Sequence, residues 1–111
     1  GLLMKSIRPI PRAALPDTMT VRVPLADGGF EEPEIIVGVR FERTQSVVDD
    51  EHRSADAGTG TVFVDAVNSI GAFDVPAGSR VAVGGQSLYV REAHRCEDLF
   101  GRVHHWELKV G

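Results

Sequence analysis

Cys96 and the histidines His94, His104 and His105 have the first claim to chemistry in this chain, because thiolate and imidazole are good zinc ligands. Their spacing argues against a site. On a strand His94 and Cys96 share a face, whereas the adjacent His104 and His105 point to opposite faces. No second cysteine or histidine pair completes a set of four ligands, so His104 reads as a packed residue, the other histidines as solvated, and no metal or other cofactor is expected. Asp65 with Asn68 and Ser69 is the second candidate, an acid beside a hydroxyl. Catalysis needs a nucleophile or base, an orienting partner and a place for developing charge. These three instead lie at a strand end, where Asp, Asn and Ser satisfy the backbone groups of turns. Gly58-Thr59-Gly60 and Gly84-Gly85 lack the following helix and the lysine of a phosphate loop. No catalytic or cofactor-binding residue emerges, and the chain is not expected to be an enzyme.

The elements that would position these residues are strands. A chain of 111 residues holds one modest core. Its 42% hydrophobic and 25% charged content is that of a globular domain rather than a disordered or membrane protein. The net charge of -4, spread along the chain, disfavours tight binding to phosphate backbones. A single cysteine cannot form an internal disulfide, so a reducing, intracellular setting is expected. No secretory signal and no apolar run near the ~20 residues of a membrane span is visible.

Residues 1–17 read as an N-terminal arm. Pro9 and Pro11 favour extended backbone, and Arg8, Ile10 and Arg12 are candidates for contact with a partner. Residues 18–111 read as the folded domain. Met19, Val21 and Val23 alternate with polar residues, as a half-buried strand requires. In the next strand Ile35, Val37, Val39 and Phe41 fall on one face, and Gly38 beside Ile36 suggests a bend or close packing. Residues 44–60 carry little apolar period and read as one long mobile loop. Val62, Val64 and Ala66 on one face and Phe63 and Val67 on the other make the next strand apolar on both sides, so part of its surface is expected to meet another subunit. Gly84-Gly85 joins a hairpin that puts Val81, Val83, Leu88 and Val90 on the core face, with Arg80, Tyr89 and Arg91 outside. In the last strand, residues 103–110, Trp106 is the core anchor with His104 beside it, while His105, Glu107 and Lys109 face outward. About six strands with turns between them and no convincing helix indicate an all-β single domain, a small β-barrel or sandwich.

The segments Val64-Asp65-Ala66-Val67-Asn68-Ser69, Phe73-Asp74-Val75-Pro76-Ala77-Gly78-Ser79-Arg80-Val81, Gly84-Gly85-Gln86-Ser87-Leu88-Tyr89-Val90 and Val103-His104-His105-Trp106-Glu107-Leu108 together resemble phage minor capsid proteins encoded near the portal and major capsid genes. The closing His-His-Trp-Glu-Leu run is the most specific of them, and Asp65, Asn68, Ser69, His104, His105, Trp106 and Glu107 carry the motif. The arm at Pro9-Ile10-Pro11-Arg12 and the strand after it look similar too, whereas residues 44–60 find no counterpart. The resemblance implies a structural virion component of a tailed phage or prophage. It would be a head-completion or head-tail connector subunit, assembled in the bacterial host cytoplasm and built into a homo-oligomeric ring at the phage neck. Implied partners are portal, adaptor or tail-completion proteins, with genome DNA passing nearby without specific binding and no membrane involved. The competing reading is a small β-barrel binding module whose Tyr89, Arg91 and long loop grip a peptide or small ligand.

Overall fold

The computed structural model describes residues 8–48 and 53–111, the backbone alone for 45–48 and 53–57. Its elements are β1 (Asp17–Arg22), β2 (Glu34–Val48), β3 (Arg53–Asp65), β4 (Arg80–Val83), β5 (Gln86–Glu97) and β6 (Val103–Val110), preceded by a single 3-10 turn at Arg12–Ala14. Each strand pairs antiparallel with its neighbours in the order β1-β2-β3-β6-β5-β4, and pairing of Val21 with Val81 closes the sheet into a barrel. Closure removes the open edges that would otherwise template association.

Alternation fills the interior. Met19 and Val21 of β1, Val62 and Val64 of β3, Val81 and Val83 of β4, Leu88 and Val90 of β5, and Trp106, Leu108 and Val110 of β6 are all buried, as the period of two requires. The β4–β5 connection has two residues, since Val83 pairs with Gln86. Gly84 (φ 59°) and Gly85 (φ 78°) both adopt the positive φ that a tight hairpin turn of matching twist demands. Trp106 is 9% exposed, and its indole N–H donates to the Asp74 carboxylate across 2.5 Å.

Two expectations are corrected. First, the core face of β2 is not Ile35, Val37, Val39 and Phe41: Ile36, Val39 and Phe41 are buried, while Ile35 is 61% and Val37 44% exposed. The cause is a bulge. Thr18 pairs with Val37 and Asp17 with Val39, which leaves Gly38 as an extra residue at φ 89°. One inserted residue transfers every preceding side chain to the opposite face. Second, residues 44–60 are not a structureless loop. β2 runs on to Val48 and β3 begins at Arg53, with Gln45 opposite Asp56 and Val48 opposite Arg53. Among the described residues those pair only with each other, so they form a two-stranded ribbon beyond the barrel wall. The mobility expected there falls partly on 49–52, which lie outside the described residues.

Trp106→Ala is expected to cost about 3–5 kcal/mol and Trp106→Phe about 1–2, the second mostly through the Asp74 bond. Gly38→Ala should cost about 1–2 kcal/mol from its backbone alone; its new Cβ would also meet the Asn68 carbonyl oxygen at 3.3 Å. Urea unfolding of the three variants checks both expectations, and a neutral Gly38→Ala would refute the bulge.

Candidate docking site

Strand β3 ends at Asp65, and a wholly buried carboxylate there needs acceptor bonds on both oxygens. It has them. Oδ2 accepts the N–H groups of Val67 and Asn68 at 2.9 and 2.8 Å, which shapes the turn. Oδ1 accepts the N–H of Ile10 at 2.9 Å, and the Asn68 side-chain amide donates to the Ile10 carbonyl at 2.8 Å. Both backbone groups of one arm residue are thus held by a turn more than fifty positions away. The Ser69 hydroxyl accepts the Asp65 N–H at 2.8 Å and donates to the carbonyl of the bulge residue Gly38 at 2.5 Å. Asp65, Asn68 and Ser69 therefore have the structural turn role, and the turn they shape fastens the arm. Leu15, 5% exposed, adds an apolar anchor where the arm enters β1.

The arm also reaches His104, whose Nε2 lies 2.6 Å from the Arg8 carbonyl oxygen. His104 Nδ1 meets His105 Nδ1 at 2.7 Å, and His105 Nε2 meets Glu107 Oε2 at 2.9 Å. The expectation that the two histidines point to opposite faces is overturned. Cys96 pairs with His105 and Glu97 with Val103, so His104 is the extra residue of a second bulge and its ring turns beside that of its neighbour. For the same reason His104 is a half-buried link to the arm rather than a core residue packed beside Trp106.

Cys96 faces the same group, its Sγ 3.8 Å from Glu107 Oε2. Burial first, and then the Glu107 charge, pushes its thiol pKa up. The hydrogen bond from His105 does most to hold the Glu107 carboxyl below its ordinary range, against a smaller opposing effect of burial. Glu107 and His105 are consequently half-covered rather than free on the outer face, while Lys109 is exposed and donates to Thr61 Oγ1.

Next to the anchor lies an apolar surface. Ile70 pairs with Val37 through two backbone hydrogen bonds of 2.8 and 3.0 Å. Ile35, Val37, Val67 and Ile70 are 61, 44, 69 and 68% exposed, and a groove lined by Arg12, Leu15, Val37, Gly38, Asn68 and Ile70 runs beside them. A second apolar knob, Leu99 and Phe100, is held out by the β5–β6 turn, where Asp98 Oδ1 accepts the N–H groups of Phe100 and Arg102. The excess apolar surface expected on the strand carrying Val62 to Val67 is therefore relocated: Val62 and Val64 are core, and Val67 is exposed in the turn after β3. Of the interface candidates, Arg8, Arg12 and Arg91 are exposed, Ile10 is the tethered arm residue, and Tyr89 lies on the barrel exterior between Arg80 and Arg91, 5.9 and 5.6 Å from its ring centre. Tyr89 and Arg91 do not join the Asp65 cluster.

Sequence reasoning missed the patch and the Cys96, His105, Glu107 trio. The patch follows from the Gly38 bulge, and the trio from the β5–β6 register; a glycine within the strand, directly after the three aliphatics Ile35, Ile36 and Val37, was the available signal.

A family model described as minor capsid protein matches residues 26–110. The match spans the β2–β3 ribbon, for which no counterpart was expected, and leaves the arm and β1 outside it. No curated protein and no solved structure matches the chain.

Asp65→Ala leaves three backbone N–H groups without their acceptor and should cost about 3 kcal/mol, against about 1 for Asn68→Ala. Urea unfolding measures the losses, and amide exchange at Ile10 should quicken in both variants. Unchanged exchange there would contradict the tether.

Proposed function

The chain belongs to the minor capsid protein family, whose role is structural, and from that premise we propose that it is a head-tail connector subunit joining a closed ring at the portal vertex. The observation that carries this reading is the exposed patch of Ile35, Val37, Val67 and Ile70 beside a tethered arm. Contiguous apolar surface rimmed by polar residues marks a contact site. A ring is made by two different surfaces of one chain meeting head to tail. The patch is one such surface, and the Leu99 and Phe100 knob supplies a distinct second one.

Charge supports the channel. A chain of net charge -4 lets a polyanion pass without capture, since phosphate binding requires clustered lysine and arginine. The ribbon of β2 and β3 leaves the barrel at the opposite end from the patch, and in this reading it is the element that reaches toward the channel. Portal, adaptor and tail-completion proteins are the partners this placement calls for. In this reading individual contacts need not be strong, since a ring templated by the portal is held by many repeated interfaces.

Particle composition tests the proposal. Mass spectrometry of purified virions and electron-microscopic reconstruction of the neck should find several copies in a closed ring; absence, or one unringed copy, overturns it. Ile70→Asp should leave the stability of the isolated subunit within about 0.5 kcal/mol and abolish incorporation. Removal of residues 45–56 should spare folding and impair retention of packaged DNA.

A further inference from the structure

The geometry points to a divalent metal site, zinc by its chemistry, formed by Cys96 Sγ, His105 Nε2 and a Glu107 carboxylate oxygen on the outer face of β5 and β6. The three donor atoms lie within 4.8 Å of one another, two of the contacts being 2.9 and 3.8 Å. With metal–ligand lengths of about 2.0–2.3 Å, the edges of a zinc tetrahedron run to about 3.3–3.6 Å. Side-chain adjustments on paired strands cover the difference. Sulfur, nitrogen and oxygen together suit a borderline ion, and three protein ligands leave a fourth position for water.

The ligating imidazole is also held from behind: His105 Nδ1 meets His104 Nδ1 at 2.7 Å, and His104 Nε2 meets the Arg8 carbonyl oxygen at 2.6 Å. That is the outer-shell arrangement by which a ligating histidine is oriented. Here the orienting partner is itself fixed by the N-terminal arm, so the site joins β5, β6 and the arm. Phe63, its ring 6.4 Å from that of His105, walls one side. The thiol is the ligand that must lose a proton, as metal coordination makes it do.

Untagged protein stripped with a chelator is titrated with zinc, and separately with cobalt(II), whose thiolate charge-transfer absorption reports sulfur coordination. One equivalent should bind, with that absorption present. Cys96→Ser should lose the absorption, and His105→Ala should lose stoichiometric binding. Glu107→Gln, nearly the same shape, covers the case of a misfolded His105 variant. His104→Ala should retain the absorption and weaken binding by roughly 10–100-fold, the size of an outer-shell effect. No binding at one equivalent, or binding unchanged in Cys96→Ser and Glu107→Gln, overturns the site.

Discussion

A buried carboxylate with no cation against it among the described residues is the constraint on which one end of this barrel depends. Removing Asp65 from water is costly unless its lone pairs are occupied, and the donors that occupy them come from two separate parts of the chain: the turn that follows and the arm. The turn must therefore form as it does, and the arm must lie where it does. Ser69 extends the dependence to β2 by holding the carbonyl of Gly38, the residue whose insertion reverses the faces of Ile35 and Val37. One side chain thus links the arm, the turn and, through the turn, an exposed apolar surface.

Much of the interior was legible because it rests on alternation alone. Met19 and Val21, Val81 and Val83, Leu88 and Val90, and Trp106 all occupy the faces that a period of two gives them. Legibility failed where a strand carries one residue more than its partner. Gly38 was visible as an irregularity, but whether a glycine bends a strand, packs closely or adds a residue is decided by the register across the sheet, which one segment does not contain. His104 is the same problem without a glycine to mark it. The ribbon was missed for another reason: a two-stranded arm outside the core has no interior, so it shows no apolar period, and polarity was mistaken for irregular structure.

The candidate site was half legible. Asp65, Asn68 and Ser69 declared themselves as turn chemistry, and the resemblance to minor capsid proteins flagged the same residues. Nothing in their spacing named Ile10 as their client, since a bond spanning 55 positions is a property of the closed barrel. Cys96, His105 and Glu107 were separated for the same cause, being brought together only by the pairing of β5 with β6.

The two ends of the barrel differ in kind. Where β2 and β6 begin and β3 and β5 finish, the sheet carries the arm, the Asp65 turn, the histidine chain and both apolar patches. At the other end β2 and β3 continue past the wall as a ribbon that pairs with nothing else among the described residues. A closed barrel has no free edge through which to recruit neighbours, so contact must be made by side chains on its outside or by elements that leave it. This chain has both, at opposite ends. An assembly in which one end binds the neighbouring subunits while the other reaches away from them uses that polarity directly, and a symmetric pair, which would match identical surfaces, does not.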